Sequence, residues 1–299
     1  MRLLYSNVAL WLAVGGAVLA QHVPSSPSPS AAARADIDRL IAASGAEVAV
    51  VWQPLDTADA RPAILIRADL RFHAASTMKV PVMIELFRQA AAGQLRLEDS
   101  LTVTNQFHSI VDGSPYELSA SVDSDGETYK AIGKPRTLRA LCEAMITVSS
   151  NLAANSLIEK LGAKNVQATV DRLGAGGMQV LRGVEDQKAF DAGMNNTTDA
   201  LGLATLLTNL GRGEVVSREA SAEMVEILKR QKLNAAIPAG LPPGTTVAHK
   251  TGTITRIHHD AAIVYGPRPY VLAVLVRGIE DQRVSAKLIA EIARVVHGL

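Results

Sequence analysis

Residues 72–87 read Phe72-His73-Ala74-Ala75-Ser76-Thr77-Met78-Lys79-Val80-Pro81-Val82-Met83-Ile84-Glu85-Leu86-Phe87, and the chain changes character inside them. Before this stretch, Glu47–Trp52 (EVAVVW) and Ala63–Arg67 (AILIR) are β-branched runs separated by Asp, Ala and Pro, a pattern that predicts a hairpin. From Ser76 onward the apolar residues fall at helical spacing over Ser76–Ala92, Thr137–Leu161, Asn165–Leu173, Thr198–Gly211 and Ser217–Gln231. After Pro242-Pro243-Gly244 strand patterns return at Thr246–Thr253, Ala261–Tyr265 and Tyr270–Val276. A last helix is predicted over Gln282–His297, with Val284, Leu288, Ile289, Ile292 and Val296 on one face, and a first one over Ala35–Ser44, stopped by Gly45.

Strands at both ends of the folded part, with helices between, predict an α/β (α+β) sandwich. The five strands form one antiparallel sheet, the terminal helices cover one of its faces, and residues 76–239 make an inserted all-helical part. The α/β part is residues 34–75 and 240–299. The tract Asn105–Lys134, carrying Gly, Ser, Asp and Pro, is expected to be a long loop.

Composition narrows the function. The 299 residues hold 30 Lys+Arg against 29 Asp+Glu, a net charge of +1 that offers no electrostatic footprint for nucleic acid or an anionic membrane. An apolar fraction of 48% excludes a disordered chain. A lone Cys142, in the apolar stretch LCEAMITV, excludes an internal disulfide framework and reads as a buried small hydrophobe. Arg2 followed by the apolar run Val8–Ala20 has the form of an export signal over residues 1–20, with cleavage before Gln21. The run is too short for a spanning helix, so the mature chain is expected to be secreted or periplasmic, with no stable membrane association. Residues 21–33, rich in Pro, Ser and Ala, are expected to be an extended linker. Nothing argues for an oligomer, so a monomer is expected.

Ser76 and Lys79 lie one helical turn apart at a helix start. That geometry suits a serine nucleophile, with a desolvated amine to take its proton and a positive helix end facing the developing oxyanion. Two further patterns follow in order: Ser149-Ser150-Asn151, and Lys250-Thr251-Gly252-Thr253 on the first late strand. In these three motifs the sequence resembles the serine penicillin-recognising enzymes, most closely the class A β-lactamases. The likeness extends to the Leu141-Cys142 pair, to Ala153-Ala154-Asn155-Ser156-Leu157-Ile158 and to the terminal helix, and covers Arg34–Leu299.

The resemblance implies roles. Ser76 would be acylated by a small-molecule β-lactam. Lys79 would be its base or part of the proton relay. Ser149 would protonate the departing lactam nitrogen, and Asn151 would hold the side-chain amide. Lys250 and Thr251 would bind the carboxylate. The N–H groups of Ser76 and Thr253 would form the oxyanion hole, and Gly252 would let substrate approach the strand. No cofactor and no metal are implied.

Two departures bear on turnover. Ser150 stands where class A enzymes carry Asp. The deacylation loop pattern Arg-x-Glu-x-x-Leu-Asn is replaced by Arg182-Gly183-Val184-Glu185-Asp186, with Glu185 one position late and no Leu-Asn. Glu185 is the candidate that activates the deacylating water, with Asp186 the next candidate. Asn196 is expected to tie the far end of the loop. Tyr116 or Phe107 is a candidate cleft residue, with loop packing the competing reading. His258-His259-Asp260 lacks the H-x-H-x-D spacing of a zinc enzyme and reads as a polar strand entry, with Arg256 or His259 near the carboxylate site. His73 and His108 read as core or loop residues, and His249 should face away from Lys250. The alternatives are a D-alanyl-D-alanine peptidase or transpeptidase, an esterase, or a β-lactam-binding sensor that acylates without turnover.

Overall fold

The computed structural model describes residues 28–299; the export segment 1–20 and its cleavage point lie outside them. Strands β1 (Glu47–Pro54), β2 (Ile64–Ile66), β3 (Val247–Ile254), β4 (Ile257–Val264) and β5 (Tyr270–Arg277) form one antiparallel sheet in the order β2-β1-β5-β4-β3. The N-terminal hairpin and the C-terminal meander thus meet at the β1–β5 pairing, where Glu47 lies opposite Arg277 and Pro54 opposite Tyr270.

Alternation along the strands separates two cores. Val48, Val50, Trp52, Leu272, Val274 and Val276 pack against helices α1 (Pro29–Ser44) and, at the C-terminus, α8 (Gln282–His297). Ala49, Val51, Ile263, Val271, Ala273 and Leu275 face the helical block. That block comprises α2 (Lys79–Ala91), α3 (Leu138–Thr147), α4 (Asn151–Leu161), α5 (Ala163–Arg172), α6 (Ala200–Gly211) and α7 (Arg218–Lys229).

Four expectations need correction. Helix α1 begins at Pro29, not Ala35: Pro29 presets the first turn, the Ser28 hydroxyl accepts from Ala31 N at 3.2 Å, and Ala33 is buried, so the stretch read as linker turns helical at residue 29. The single helix expected over Thr137–Leu161 is two, because Ser149 adopts a left-handed φ of 62° and Ser150 caps a new helix. Strand β4 starts at Ile257, so His258, His259 and Asp260 are strand residues, each buried and hydrogen-bonded. The tract 105–134 has structure of its own: a hairpin pairing Phe107–His108 with Pro115–Tyr116, and a helical turn over Gly126–Tyr129.

The nucleophile stretch is locked into this frame. Phe72-His73 pairs antiparallel with Thr197-Thr198, which brings the far end of the 182–196 loop beside it. A 3-10 turn, Ala75–Met78, then leads into α2.

Candidate active site

A cleft of about 450 Å³ lies between the 3-10 turn, the end of β3, the start of α4 and the 182–196 loop. Ser76, Asn151, Glu185 and Thr253 line it directly. Lys79 and Lys250, both fully buried, and Ser149 lie beneath, joined by hydrogen bonds. Lys79 Nζ donates to the Ser149 carbonyl at 2.7 Å, to Asn151 Oδ1 at 2.7 Å and to Ser149 Oγ at 3.3 Å. Lys250 Nζ donates to the same Ser149 Oγ at 3.0 Å. Asn151 Nδ2 in turn donates to Glu185 Oε1 at 2.7 Å. A continuous polar chain therefore runs from β3 through Ser149, Lys79 and Asn151 to the loop.

Burial disfavours both ammonium charges. It pushes Lys79 down to about 7, against the opposing pull of the Asp123 and Glu185 carboxylates. It pushes Lys250 well below its ordinary value, helped by the Lys79 charge and opposed by Asp260. An amine titrating near neutrality at the foot of α2 is suited to accept a hydroxyl proton.

Three backbone positions around the cleft are in the left-handed region without being glycine: Ala75 (φ 46°), Ser149 (φ 62°) and Glu185 (φ 61°). Such residues persist only where surrounding bonds hold them. His73 Nδ1 accepts from Ala75 N at 3.0 Å and holds the first. The His73 ring also lines the cleft, edge-on to Phe190 with centroids 6.1 Å apart. Burial and the Arg182 charge lower its pKa, so it acts as a neutral acceptor. Reading His73 as a core or loop residue missed this role; its place three residues before Ser76 was the available signal.

Gly252 has a packing role as well as the one expected of it. A Cβ there would lie 3.0 Å from Thr77 Cγ2 and 3.1 Å from both Ala74 O and Thr77 N. The glycine lets β3 pack against the nucleophile turn. Thr251 is 5% exposed and does not line the cleft, whereas Thr253 does.

The 182–196 loop is closed by neutral partners. Arg182 donates to Met194 O at 2.9 Å, to Gly183 O at 2.9 Å and to Asn195 Oδ1 at 3.1 Å. Asn196 ties the loop ends, accepting from Leu181 N at 2.8 Å and donating to Arg182 O at 2.9 Å. Asn155 clamps the middle, with Oδ1 accepting from Val184 N at 2.6 Å and Nδ2 donating to Val184 O at 3.0 Å. Gly183 is required there, since a Cβ would sit 2.5 Å from Asn155 Oδ1.

Asp186 and Glu185 are thereby separated. Asp186 is buried and caps a short helix (Gln187–Asp191), accepting from Ala189 N at 3.1 Å; it also accepts from Ser109 Oγ at 2.8 Å and Ile110 N at 3.0 Å. Glu185 alone of the two presents its carboxylate to Asn151. Phe107 is core, and Tyr116 OH donates to Val184 O at 3.3 Å, so both pack the loop and neither lines the cleft. Val122, which the sequence reading passed over, lines it instead.

His249 pairs on the far side with Asp260 Oδ1 (2.9 Å) and Asn234 Oδ1 (2.9 Å). His259 donates to His73 O at 3.0 Å and accepts from Val276 N at 3.2 Å, and burial pushes it down to about 4. Arg256 reaches the Gly278 carbonyl at 3.2 Å, and neither it nor His259 lines the cleft.

Comparison with known proteins agrees with this arrangement. The profile of the "Beta-lactamase enzyme family" matches residues 32–298. The β-lactamase AST-1 of Nocardia asteroides is 32% identical over 281 residues, covering 92% of this chain and 86% of its own. An ancestral class A β-lactamase superposes with a TM-score of 0.76 at 28% identity, covering 89% of this chain and 99% of its own. The protein PBP-A superposes equally well, with a TM-score of 0.76 at 26% identity and coverage of 89% and 95%; one of its mutants has been solved as an acyl-enzyme complex with penicillin G. A profile match along nearly the whole folded part, on a cleft that gathers all three motifs, places the chain in the β-lactamase enzyme family, among its class A-like serine members.

Proposed function

We propose that the protein hydrolyses β-lactams through an acyl-enzyme on Ser76 that is released by water activated at Glu185. The observation that carries this reading is the polar chain Lys79–Asn151–Glu185, which brings Glu185 to the cleft that Ser76 lines, while Asp186, also at the cleft, is committed as a helix cap. Ser76 Oγ attacks the lactam carbonyl and gives its proton to neutral Lys79. The ring C–N bond breaks, and the lactam nitrogen takes a proton from Ser149 Oγ, which is resupplied by the proton that Lys79 took from Ser76. The N–H groups of Ser76 and Thr253 hold the oxyanion. Lys250 acts from beneath the cleft, orienting Ser149 Oγ by the bond it donates, and Thr253 lines the side where the substrate carboxylate would lie. Glu185 then takes a proton from water as its oxygen attacks the ester, and that proton passes to Ser76 Oγ as the ester C–O bond breaks, so that Glu185 and Lys79 both return to their starting states. The neutral closure by Asn195 and Asn196 replaces an acid opposite Arg182 and keeps Glu185 in place.

Export rests on the Arg2 and Val8–Ala20 pattern. Among the described residues no helix is long and apolar enough to cross a membrane.

The second reading, a peptidase or sensor that acylates but does not turn over, is favoured by the one-residue displacement of Glu185 and the equal superposition on PBP-A. Time-resolved intact mass with a penicillin and a chromogenic cephalosporin separates the two. Hydrolysis without a lasting adduct on the wild type, an adduct accumulating on Glu185→Gln, and none on Ser76→Ala are expected. A persistent wild-type adduct establishes the second reading, and no adduct at all removes Ser76 from the mechanism.

A further inference from the structure

The S-x-N turn lacks an acid of its own, because Ser150 occupies the middle position and spends its Oγ on Ala153 N at 3.2 Å. The turn nevertheless needs holding. Ser149 is in the left-handed region, and the first N–H groups of α4 have no partner within the helix. The structure supplies an acid from elsewhere in the chain. Asp123, in the 105–134 tract, accepts from Asn151 N at 2.9 Å and from Leu152 N at 3.1 Å through Oδ2, while its Oδ1 accepts from Asp125 N at 3.2 Å. Its neighbour Ser124 donates to the Val148 carbonyl, on the other side of the same turn. The tract therefore grips the turn at both its N–H and its C=O ends. One residue further on, the Asn151 side chain receives Lys79.

We propose that Asp123 is the positioning acid of the S-x-N turn, holding Asn151 and through it Lys79 in the geometry that acylates Ser76. This rests on the reading of Ser76 as the acylated residue. A carboxylate at a helix N-terminus is stabilised by the partial positive charge there, and two charge-assisted N–H bonds fix its orientation. It also places a negative charge near the amine that must lose its proton. The other ionisable groups facing Lys79 are Glu185 from the loop and Lys250 from β3; Tyr129 and Asp125 flank Asp123 itself. Of the two carboxylates that hold the Lys79 proton on, Asp123 has the larger effect. The tract thus has a chemical function that its composition does not reveal: it carries the acid missing from the motif.

The test is single-turnover acylation by a penicillin, followed by intact mass and stopped flow from acid to alkaline pH. The proteins are wild type, Asp123→Asn, Asp123→Ala, and Asp123→Ala combined with Ser150→Asp, each with a melting curve. Asp123→Asn keeps one acceptor and the shape but removes the charge. It is expected to fold, to acylate about tenfold more slowly, and to move the acid limb of the profile about half a pH unit lower or more, because Lys79 has lost a counter-charge. Asp123→Ala is expected to be slower still, and Ser150→Asp to restore part of the rate by returning the acid to the turn. Wild-type rate and an unmoved limb in Asp123→Asn overturn the proposal. So does a slower rate with an unmoved limb and no rescue, which would mean that the tract merely packs. A wild type that forms no adduct overturns the Ser76 reading instead, and the two failures are told apart by that control.

Discussion

The two walls of the cleft are held by different means. The nucleophile wall, residues 72–79, is held by packing: Phe72, Ala74, Thr77 and Met78 are buried, and β3 presses on the turn at Gly252. The opposite wall, residues 182–196, is held by polar side chains reaching over: Arg182, Asn155, Asn196 and Asp186. Burial is non-directional and tolerates small shifts. A hydrogen-bonded loop keeps its shape only while each donor meets its acceptor. The difference separates the two half-reactions. On the proposed mechanism, acylation is built on the core, and deacylation depends on a loop clipped onto it.

The comparison can be broken most severely at Glu185. Glu185→Gln should leave acylation within about twofold and slow deacylation by about 100- to 10,000-fold, measured as accumulation and decay of the adduct mass. An equal loss in both steps would show that the walls are not independent.

Next is the core on the other face of the sheet, under the terminal helices. Ile289 is fully buried between α8 and the sheet. Ile289→Ala should cost about 2–5 kcal/mol of stability by urea unfolding, with the ratio of the two rate constants unchanged at a temperature where the variant is folded.

The third expectation concerns pH. The His259 pKa falls from 6.5 in the unfolded chain to about 4 in the fold, because burial penalises the charge more than the bond to the His73 carbonyl favours it. The unfolded chain therefore binds the proton first, so stability present above pH 6.5 is lost as the pH falls toward 4. The spread is about 3 kcal/mol, and His259→Gln should flatten it in denaturant melts at several pH values.

The smallest effect is expected at the clip itself. Ser109→Ala removes the 2.8 Å bond to Asp186. It should slow deacylation by about tenfold, near 1.4 kcal/mol, without touching acylation; an acylation defect would join the hairpin to the nucleophile wall.

The same division explains what was legible in the sequence. The sheet, its partners and the buried faces follow from the alternation in EVAVVW and YVLAVLVR and from the helical spacing after Ser76, all of which report burial. Ser76, Lys79, Ser149 and Lys250 were legible as motifs; the structure joins Lys79, Ser149 and Lys250 by hydrogen bonds and sets Ser76 on the cleft above them. The break at Ser149 was not, because Ala144–Leu161 has unbroken helical spacing and the interruption is a backbone conformation held by contacts distant in sequence. The functions of His73 and Asp123 were equally hidden. Each acts by accepting from backbone N–H groups, one for His73 and three for Asp123, and neither leaves a period or a composition. The choice between Glu185 and Asp186 needed the hairpin at Ser109, 77 residues away in the chain.

The neck of the 182–196 loop, where an arginine is held by two carbonyls and an amide, has a bearing on acid exposure. A neck closed by an ion pair would gain a proton on acidification and spring open. Amides and carbonyls have no proton to gain in that range, so the neck stays shut in a sour medium. Acid weakening of the fold is then expected to begin elsewhere, at buried His259, and not at the neck.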